Sequence, residues 1–266
     1  MSNLPGPEFW ALVHPYTGDV ARAERPSRAF DSDVTAMVES DEGRFFIKAM
    51  HNRPGGRRES LMREKAINPF VRPISPPLLW DTEDDAWVIL GFDLVEGRHA
   101  DFSPASGDLP RVVGLLDRIG DLVLPEVARE WAEDRWDWLT TSDEEVELLR
   151  GDSLIYGDIH PANFLLGERD AWAVDWSWPT RGAGFIDPAT LVTQLIGAGH
   201  SPQDAEGWVD GCRGWADADP RGIDTFAAVS VRLWRSLAER NPEEQWIKAM
   251  TTAAQSWADH RGIAVD

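Results

Sequence analysis

What this chain can fold into is constrained most by a break in its middle. Two short apolar runs, Phe164-Leu165-Leu166 and Ala171-Trp172-Ala173-Val174, flank the turn-like Gly167-Glu168-Arg169-Asp170, which predicts a small β-hairpin. On both sides the pattern is helical. Arg111–Val123, Glu126–Thr140 and Asp143–Arg150 are expected helices upstream, and about four more segments follow Asp187-Pro188. Ser142, with Glu145 three residues on, carries a capping-box signature for the third helix. A hairpin enclosed by helices is the expectation.

The N-terminal part reads differently. Val34–Val38 and Arg44–Met50 are expected strands joined by a turn at Ser40–Gly43, and His51–Arg58 is a polar loop. Ser60–Phe70 predicts a helix, with Leu61, Met62, Lys65/Ala66 and Ile67 at roughly helical spacing and prolines at and beyond its end. Ala86–Phe92 is an apolar run of buried-strand length, and Gly91 and Gly97 bracket a connector. This order predicts an α+β fold: a small strand-rich lobe over 1–92, a connector over 93–97 and a larger helical lobe over 98–266.

Composition excludes several classes. The 266 residues suit one large domain or two closely packed lobes, and 42% hydrophobic content suffices for a core. A net charge of −20 excludes a generic DNA binder, which needs a basic surface to displace counterions. Cys212 is the one cysteine, so a disulfide framework and multi-cysteine metal clusters are excluded. No apolar run reaches the roughly 18–20 residues of a membrane span, and the first ten residues lack a basic segment or apolar signal core. A soluble cytoplasmic protein, monomeric or homodimeric, with no nucleic-acid or membrane partner, is expected.

The charge is uneven. Residues 1–75 carry 11 Lys/Arg and 10 Asp/Glu; residues 76–266 carry 15 and 36. Such an acidic field either concentrates a cationic ligand or simply keeps the surface soluble. Lysine is scarce, with Lys48, Lys65 and Lys248 against 23 arginines. A lysine inside the apolar strand Arg44–Met50 therefore invites a specific role, because a compact ammonium and a planar guanidinium are not equivalent.

Chemistry concentrates in Leu154–Leu166 and Ala173–Trp176. Asp158 and Asn163 lie five residues apart in a loop closed by Pro161, and Asp175 follows an apolar strand twelve residues after Asn163. Asp158 can accept a proton. Asn163 and Asp175 offer hard oxygen ligands of the kind Mg2+ takes together with substrate phosphates and water.

This stretch resembles the catalytic core of the aminoglycoside phosphotransferase/choline kinase family, relatives of the protein kinases, with the pattern His-Gly-Asp-x-His-x-x-Asn and a later Ile-Asp-Trp/Phe. Here it reads Tyr156-Gly157-Asp158-Ile159-His160-Pro161-Ala162-Asn163, with Val174-Asp175-Trp176 behind it. The resemblance runs from about Arg28 to Leu195. It implies a protein-kinase-like bilobal fold, a small N-terminal antiparallel-sheet lobe plus a larger mostly helical C-terminal lobe. It also implies ATP or GTP with Mg2+, and transfer of the γ-phosphoryl group to an alcohol.

In that framework Asp158 positions and deprotonates the acceptor hydroxyl, and Asn163 and Asp175 hold Mg2+. Lys48 orients the nucleotide phosphates. Its carboxylate partner is Glu64, with Glu59 as the fallback. Phe92, Asp93 and Leu94 fall where the hinge reads adenine. His160 and Asp187 are expected as structural support of the catalytic loop, the alternative for Asp187 being a helix N-cap.

The chain departs from the pattern in three places. Tyr156 replaces the first histidine of the motif. Trp176-Ser177 stands where a protein kinase has Phe-Gly, which favours a small-molecule kinase. The phosphate-covering loop should fall near Pro26–Asp33, which has no glycine. Ser27 and Ser32 would donate there instead, whereas Asp31 and Asp33 would repel phosphate if turned inward. This loop supports a second reading, a catalytically silent kinase-like nucleotide-binding or regulatory protein.

The implied acceptor is a small hydroxylated metabolite or antibiotic. The acidic segments Glu126–Asp152 and Ser201–Pro220 suit a cationic one, aminoglycoside-like. Trp131, Trp136 and Trp138 beside the first segment, and Trp208 and Trp215 within the second, read either as an aromatic wall for such a ligand or as packing between helices.

Overall fold

Strand alternation decides what the N-terminal part buries. The computed structural model describes residues 5–26, 32–72 and 74–265. The chain divides into two units, Met1–Gly97 with Val174–Trp178, and Arg98–Ala173 with Pro179–Asp266.

The first unit runs through helix α1 (Pro7–Thr17), strands β1 (Val20–Glu24), β2 (Val34–Ser40) and β3 (Gly43–His51), helix α2 (Gly56–Val71), and strands β4 (Leu78–Glu83) and β5 (Trp87–Asp93). The strands form one antiparallel sheet in the order β1-β2-β3-β5-β4. Successive side chains of β3 point to opposite faces. Phe45, Ile47 and Ala49 pack with Phe9 and Val13 of α1 and with β2. Met50 packs with Leu61 of α2 and with Val88, Leu90 and Phe92 of β5, and Phe46 joins that cluster. Lys48 has the parity of Phe46 and Met50, so it lies on the α2 face, opposite Thr35 and Leu90. Burying a side chain such as Ile47 contributes about 1.5–3 kcal/mol. A one-residue slip of β3 would exchange both faces and is therefore strongly opposed.

Helix α2 buries Leu61, Glu64, Ile67, Asn68 and Val71, one face at helical spacing. It starts at Gly56, inside the segment expected as a loop. Its far end is tied to β4 by Asn68, whose amide donates to the Pro76 carbonyl at 2.9 Å and accepts from Leu78 N–H at 2.8 Å. Gly91 of β5 is a steric requirement, because a Cβ there would overlap the Trp80 indole of β4. Elements α1, β1 and β4 were not foreseen from the sequence pattern.

The second unit contains β6 (Arg98–His99), α3 (Leu109–Gly120), α4 (Asp143–Leu148), β7 (Ser153–Ile155), β8 (Phe164–Leu166), β9 (Ala171–Ala173), β10 (Thr180–Gly182), α5 (Ile186–Gly197), α6 (Pro202–Val209), α7 (Arg213–Ala216), α8 (Pro220–Arg240) and α9 (Gln245–His260). The expected hairpin is β8–β9, with Phe164 opposite Ala173, and β6 adds to its other edge. A separate pair joins β7 to β10. The capping box of α4 is present: Ser142 Oγ accepts from Glu145 N–H at 3.3 Å, and Glu145 reaches back to Thr141 N–H at 2.7 Å. Helix α3 buries Leu109, Val112, Leu115, Leu116 and Ile119 on one face.

The segment Glu126–Thr140 is not the expected helix. It holds two short 3-10 turns, Glu126–Ala128 and Asp137–Leu139. Between them the backbone pairs with β10: Arg181 N–H donates to the Trp131 carbonyl at 2.6 Å, and Glu133 N–H donates to the Arg181 carbonyl at 2.8 Å. Long-range pairing takes the backbone groups that a helix would have used.

Packing also claims tryptophans and acids. Trp215 is buried and stacks on Trp257 at 6.4 Å, and Trp136 packs edge-on against Phe226 at 5.0 Å. Trp138 stays 58% exposed. Glu133, Asp137 and Glu206 pair with Arg135, Arg150 and Arg261. Among the described residues, no helix is long and apolar enough to cross a membrane.

Candidate active site

In the first unit the alternation of β3 and the buried face of α2 bring a lysine and a glutamate together. Lys48 Nζ donates to Glu64 Oε1 at 2.8 Å and Oε2 at 3.0 Å, and to Asp175 Oδ1 at 2.9 Å. The lysine and glutamate are shielded, their side chains 10% and 6% exposed, and Asp175 is half-buried at 26%. Burial alone would lower the Lys48 ammonium, but Asp175 and Glu64 outweigh it and raise it above the usual lysine range. Glu64 is pushed upward, by burial first and by the Asp175 charge, against the pull of Lys48. A buried ion pair contributes little net stability, because desolvation offsets the attraction. The arrangement therefore points to function rather than to folding.

Asp175 has φ +64°, the one non-glycine residue with positive φ among those described. Left-handed backbone costs on the order of 1–2 kcal/mol, and aspartate tolerates it better than most residues. The conformation is held by Lys48, by the Ser177 hydroxyl, which donates to the same Asp175 oxygen, and by the Trp176 N–H, which donates to Glu64. Trp178 then packs beside Gly56, with the Arg63 guanidinium 5.3 Å from its ring centre.

In the second unit the loop after β7 is braced from beneath. Tyr156 is buried and meets Phe164 edge-on at 6.3 Å. Gly157 turns the chain with φ +77°. Asp187, in the first turn of α5, accepts Tyr156 N–H at 2.8 Å and Gly157 N–H at 2.7 Å. Phe185, not Asp187, is the N-cap of that helix. Burial drives the Asp187 carboxyl up to about 6, although the two N–H donors and Arg135 pull the other way.

Asp158 follows, its side chain 52% exposed and so accessible to a substrate. Asn163, in the 3-10 turn Pro161–Asn163, donates its amide to Asp158 Oδ2 at 2.8 Å and to the Asp158 carbonyl at 3.2 Å. With its NH2 group so committed, its carbonyl oxygen is the atom suited to a cation. His160 serves the loop: Nδ1 accepts Ala162 N–H at 3.2 Å, and Nε2 lies 3.7 Å from Asp158 Oδ1.

The other expected residues are distributed as follows. Glu59, the fallback partner of Lys48, is exposed on the first turn of α2. Phe92 is buried. Asp93 N–H donates to the Pro77 carbonyl at 2.9 Å and Leu94 N–H to the Arg44 carbonyl at 3.4 Å. The glycine-free segment joins β1 to β2. In it Ser32 is half-buried, while Ser27 and Asp31 lie outside the described residues. Asp33 accepts His51 N–H at 2.9 Å and pairs with Arg57 at 2.9 Å.

Two residues escaped the sequence reading. In the sequence Ser177 stands out only as a departure from Phe-Gly, and its adjacency to Asp175 is the available signal. Arg135, beside Gly157, lay in a segment read as a helix. Among the described residues, no group of three or more His, Cys, Asp or Glu side chains is arranged to hold a metal.

No family model matches the sequence, and no curated protein matches it. Solved structures do match. Choline kinase LicA from Streptococcus pneumoniae superposes with a TM-score of 0.66 at 11% identity, over 95% of this chain and 98% of that one. Aminoglycoside phosphotransferase APH(4)-Ia gives 0.62 at 9% identity, over 93% and 98%. Amicoumacin kinase hAmiN, solved with AMP-PNP, Ca2+ and Ami, gives 0.61 at 13% identity, over 98% and 96%. At these identities the likeness establishes the fold, the α+β kinase-like architecture with an antiparallel-sheet N-terminal part and a helical remainder.

Proposed function

With the fold of the choline kinase and aminoglycoside phosphotransferase structures as premise, we propose that this chain belongs to that family and transfers the γ-phosphoryl group of ATP, or GTP, to a hydroxyl of a small molecule. The observation that carries this reading is the buried Lys48 ammonium, held at 2.8 Å by Glu64 and 2.9 Å by Asp175. In a folded chain of this class, a cation fixed at such cost is suited to a polyphosphate.

Residues 1–92 act as the nucleotide-binding lobe, 93–97 as the hinge, and 98–266 carry the catalytic loop and the acceptor site. Lys48 neutralises and orients the phosphate chain, and Glu64 keeps the ammonium aimed. Backbone groups over Phe92, Asp93 and Leu94 read the base, and Ser27 and Ser32 donate to the phosphates. Asp158, steadied by the Asn163 amide, aims the acceptor hydroxyl and takes its proton as the oxygen attacks the γ-phosphorus. The bond from that phosphorus to the bridging oxygen breaks, and the nucleoside diphosphate leaves with the electron pair. Asn163 and Asp175 would hold Mg2+, which when bound supplies charge neutralisation on the phosphates. The rate gain comes mainly from alignment and charge compensation. Asp187 and His160 keep the loop in shape.

The named substrates of the neighbours, choline, aminoglycosides and amicoumacin, together with the acidic surface, favour a cationic hydroxylated amine or antibiotic as acceptor. The test is a screen of such compounds with ATP and GTP, reading phosphorylated product by mass spectrometry. A product that disappears in Asp158→Ala supports the assignment. The glycine-free segment Pro26–Asp33 favours the second reading, a silent kinase-like protein. Absence of any nucleotide-dependent thermal shift, with or without Mg2+, would decide for that alternative.

A further inference from the structure

Behind Gly157 lies a charge cluster to which the phosphotransfer scheme gives no role. Glu133 is fully buried. Its carboxylate accepts from Arg135 Nε at 2.7 Å, from Arg135 Nη2, and from Thr180 Oγ1 at 2.5 Å. The Glu133 carbonyl accepts from Arg150, which also reaches Asp137 at 2.5 Å. The guanidinium of Arg135 is thereby locked in one place, and that place is against Gly157. A Cβ on Gly157 would collide with both terminal nitrogens of Arg135.

The turn is thus held from two directions, by Asp187 gripping the Tyr156 and Gly157 N–H groups and by Arg135 packed on the Gly157 Cα. Charge supports the same picture. Burial alone would lower the Arg135 guanidinium, but Glu133, and further off Asp187 and Asp158, raise it. One arginine compensates two buried carboxylates on either side of the turn that carries Asp158.

We propose that Arg135 is a positioning residue: locked by Glu133, it forms the wall against which the Gly157 turn is set, so that Asp158 is presented in one orientation. The proposal rests on the reading of Asp158 as the group that aims the acceptor hydroxyl. Its effect on the backbone, however, is measurable without any activity.

Three variants test it in the full-length protein: Arg135→Gln, Arg135→Lys, and Glu133→Gln/Arg135→Gln. The double variant removes Glu133 together with its arginine and leaves Asp187 to the Tyr156 and Gly157 N–H groups, so its melting temperature should recover part of what Arg135→Gln alone loses. Hydrogen exchange in the peptide spanning residues 154–163 should nonetheless run at least about tenfold faster. Nucleotide turnover should fall about a hundredfold, with the nucleotide KM within about twofold. Arg135→Lys, which keeps the charge but not the fork, should fall between, and it serves if both glutamine variants fail to fold. Unchanged exchange in the double variant, or turnover that recovers together with melting temperature, would overturn the proposal. If the unsubstituted protein phosphorylates no acceptor, the phosphotransfer reading fails, and the exchange measurement alone decides on Arg135.

Discussion

Replacing Asp187 with asparagine should change how stability depends on pH. In the fold its carboxyl titrates at about 6, against 3.8 for an ordinary aspartate. That difference of about 2 units, at 1.36 kcal/mol per unit, corresponds to about 3 kcal/mol. Asp187 is only 4% exposed, so solvent screening takes little from this figure. The sign follows from linkage. A carboxyl raised by folding stabilises the native state fully below its unfolded value, and that contribution is lost as pH rises through its folded value. Asparagine carries no charge, so the variant lacks this slope. It keeps one oxygen acceptor for the two N–H groups of Tyr156 and Gly157, and the unpaired group costs about 1–3 kcal/mol at every pH. Urea unfolding of both proteins between about pH 4 and about pH 7.5 gives the stability gap. The gap should favour the unsubstituted protein at the acid end and shrink by about 3 kcal/mol across the range. A flat gap would refute the reasoning. A gap that grows with pH would mean that the two N–H donors and Arg135 outweigh burial.

Other perturbations probe separate parts of the argument. Lys48→Met leaves Glu64 buried without its cation and should cost about 3–5 kcal/mol in urea unfolding; adding Glu64→Leu should recover most of that, and simple additivity of two losses would contradict the pairing. Asp158→Ala should abolish phosphate transfer while nucleotide binding by calorimetry stays within about twofold, whereas Asp175→Ala should lose the Mg2+-dependent part of that binding. Equal, small effects of the two substitutions on transfer would remove the distinction between their roles. Gly91→Ala drives a methyl into the Trp80 ring and should destabilise by roughly 1–3 kcal/mol; an unchanged melting temperature would show that the indole yields without cost.

Sequence patterns were readable where short-range spacing carries the information. The β2–β3 turn, the capping box at α4 and the β8–β9 hairpin each depend on a few neighbouring residues. Within the five-stranded sheet, the two strands that the sequence pattern does not announce are its edges, β1 and β4. An edge strand is paired on one side only and needs no strict apolar alternation, as the largely exposed β1 illustrates. Glu126–Thr140 was misread because its backbone partner, Arg181, lies some fifty residues away, beyond the reach of helical periodicity. The tryptophans of the acidic segments had two readings from sequence, and Trp136 and Trp215 went to packing.

The candidate site divides along the same line. By itself the sequence determined the chemical inventory: a rare lysine within an apolar strand, carboxylates on the following helix, and an aspartate and an asparagine five residues apart in a proline-closed loop. It pointed to Glu64 as the partner of Lys48 and kept Glu59 as the fallback, because both carboxylates lie close together at the start of the following helix. Tertiary packing decided that question. The sheet buries the face of α2 that carries Leu61, Glu64 and Asn68 and turns Glu59 to water. A helix's rotation about its own axis is set by the surface it packs against, and that surface is assembled from strands distant in the chain.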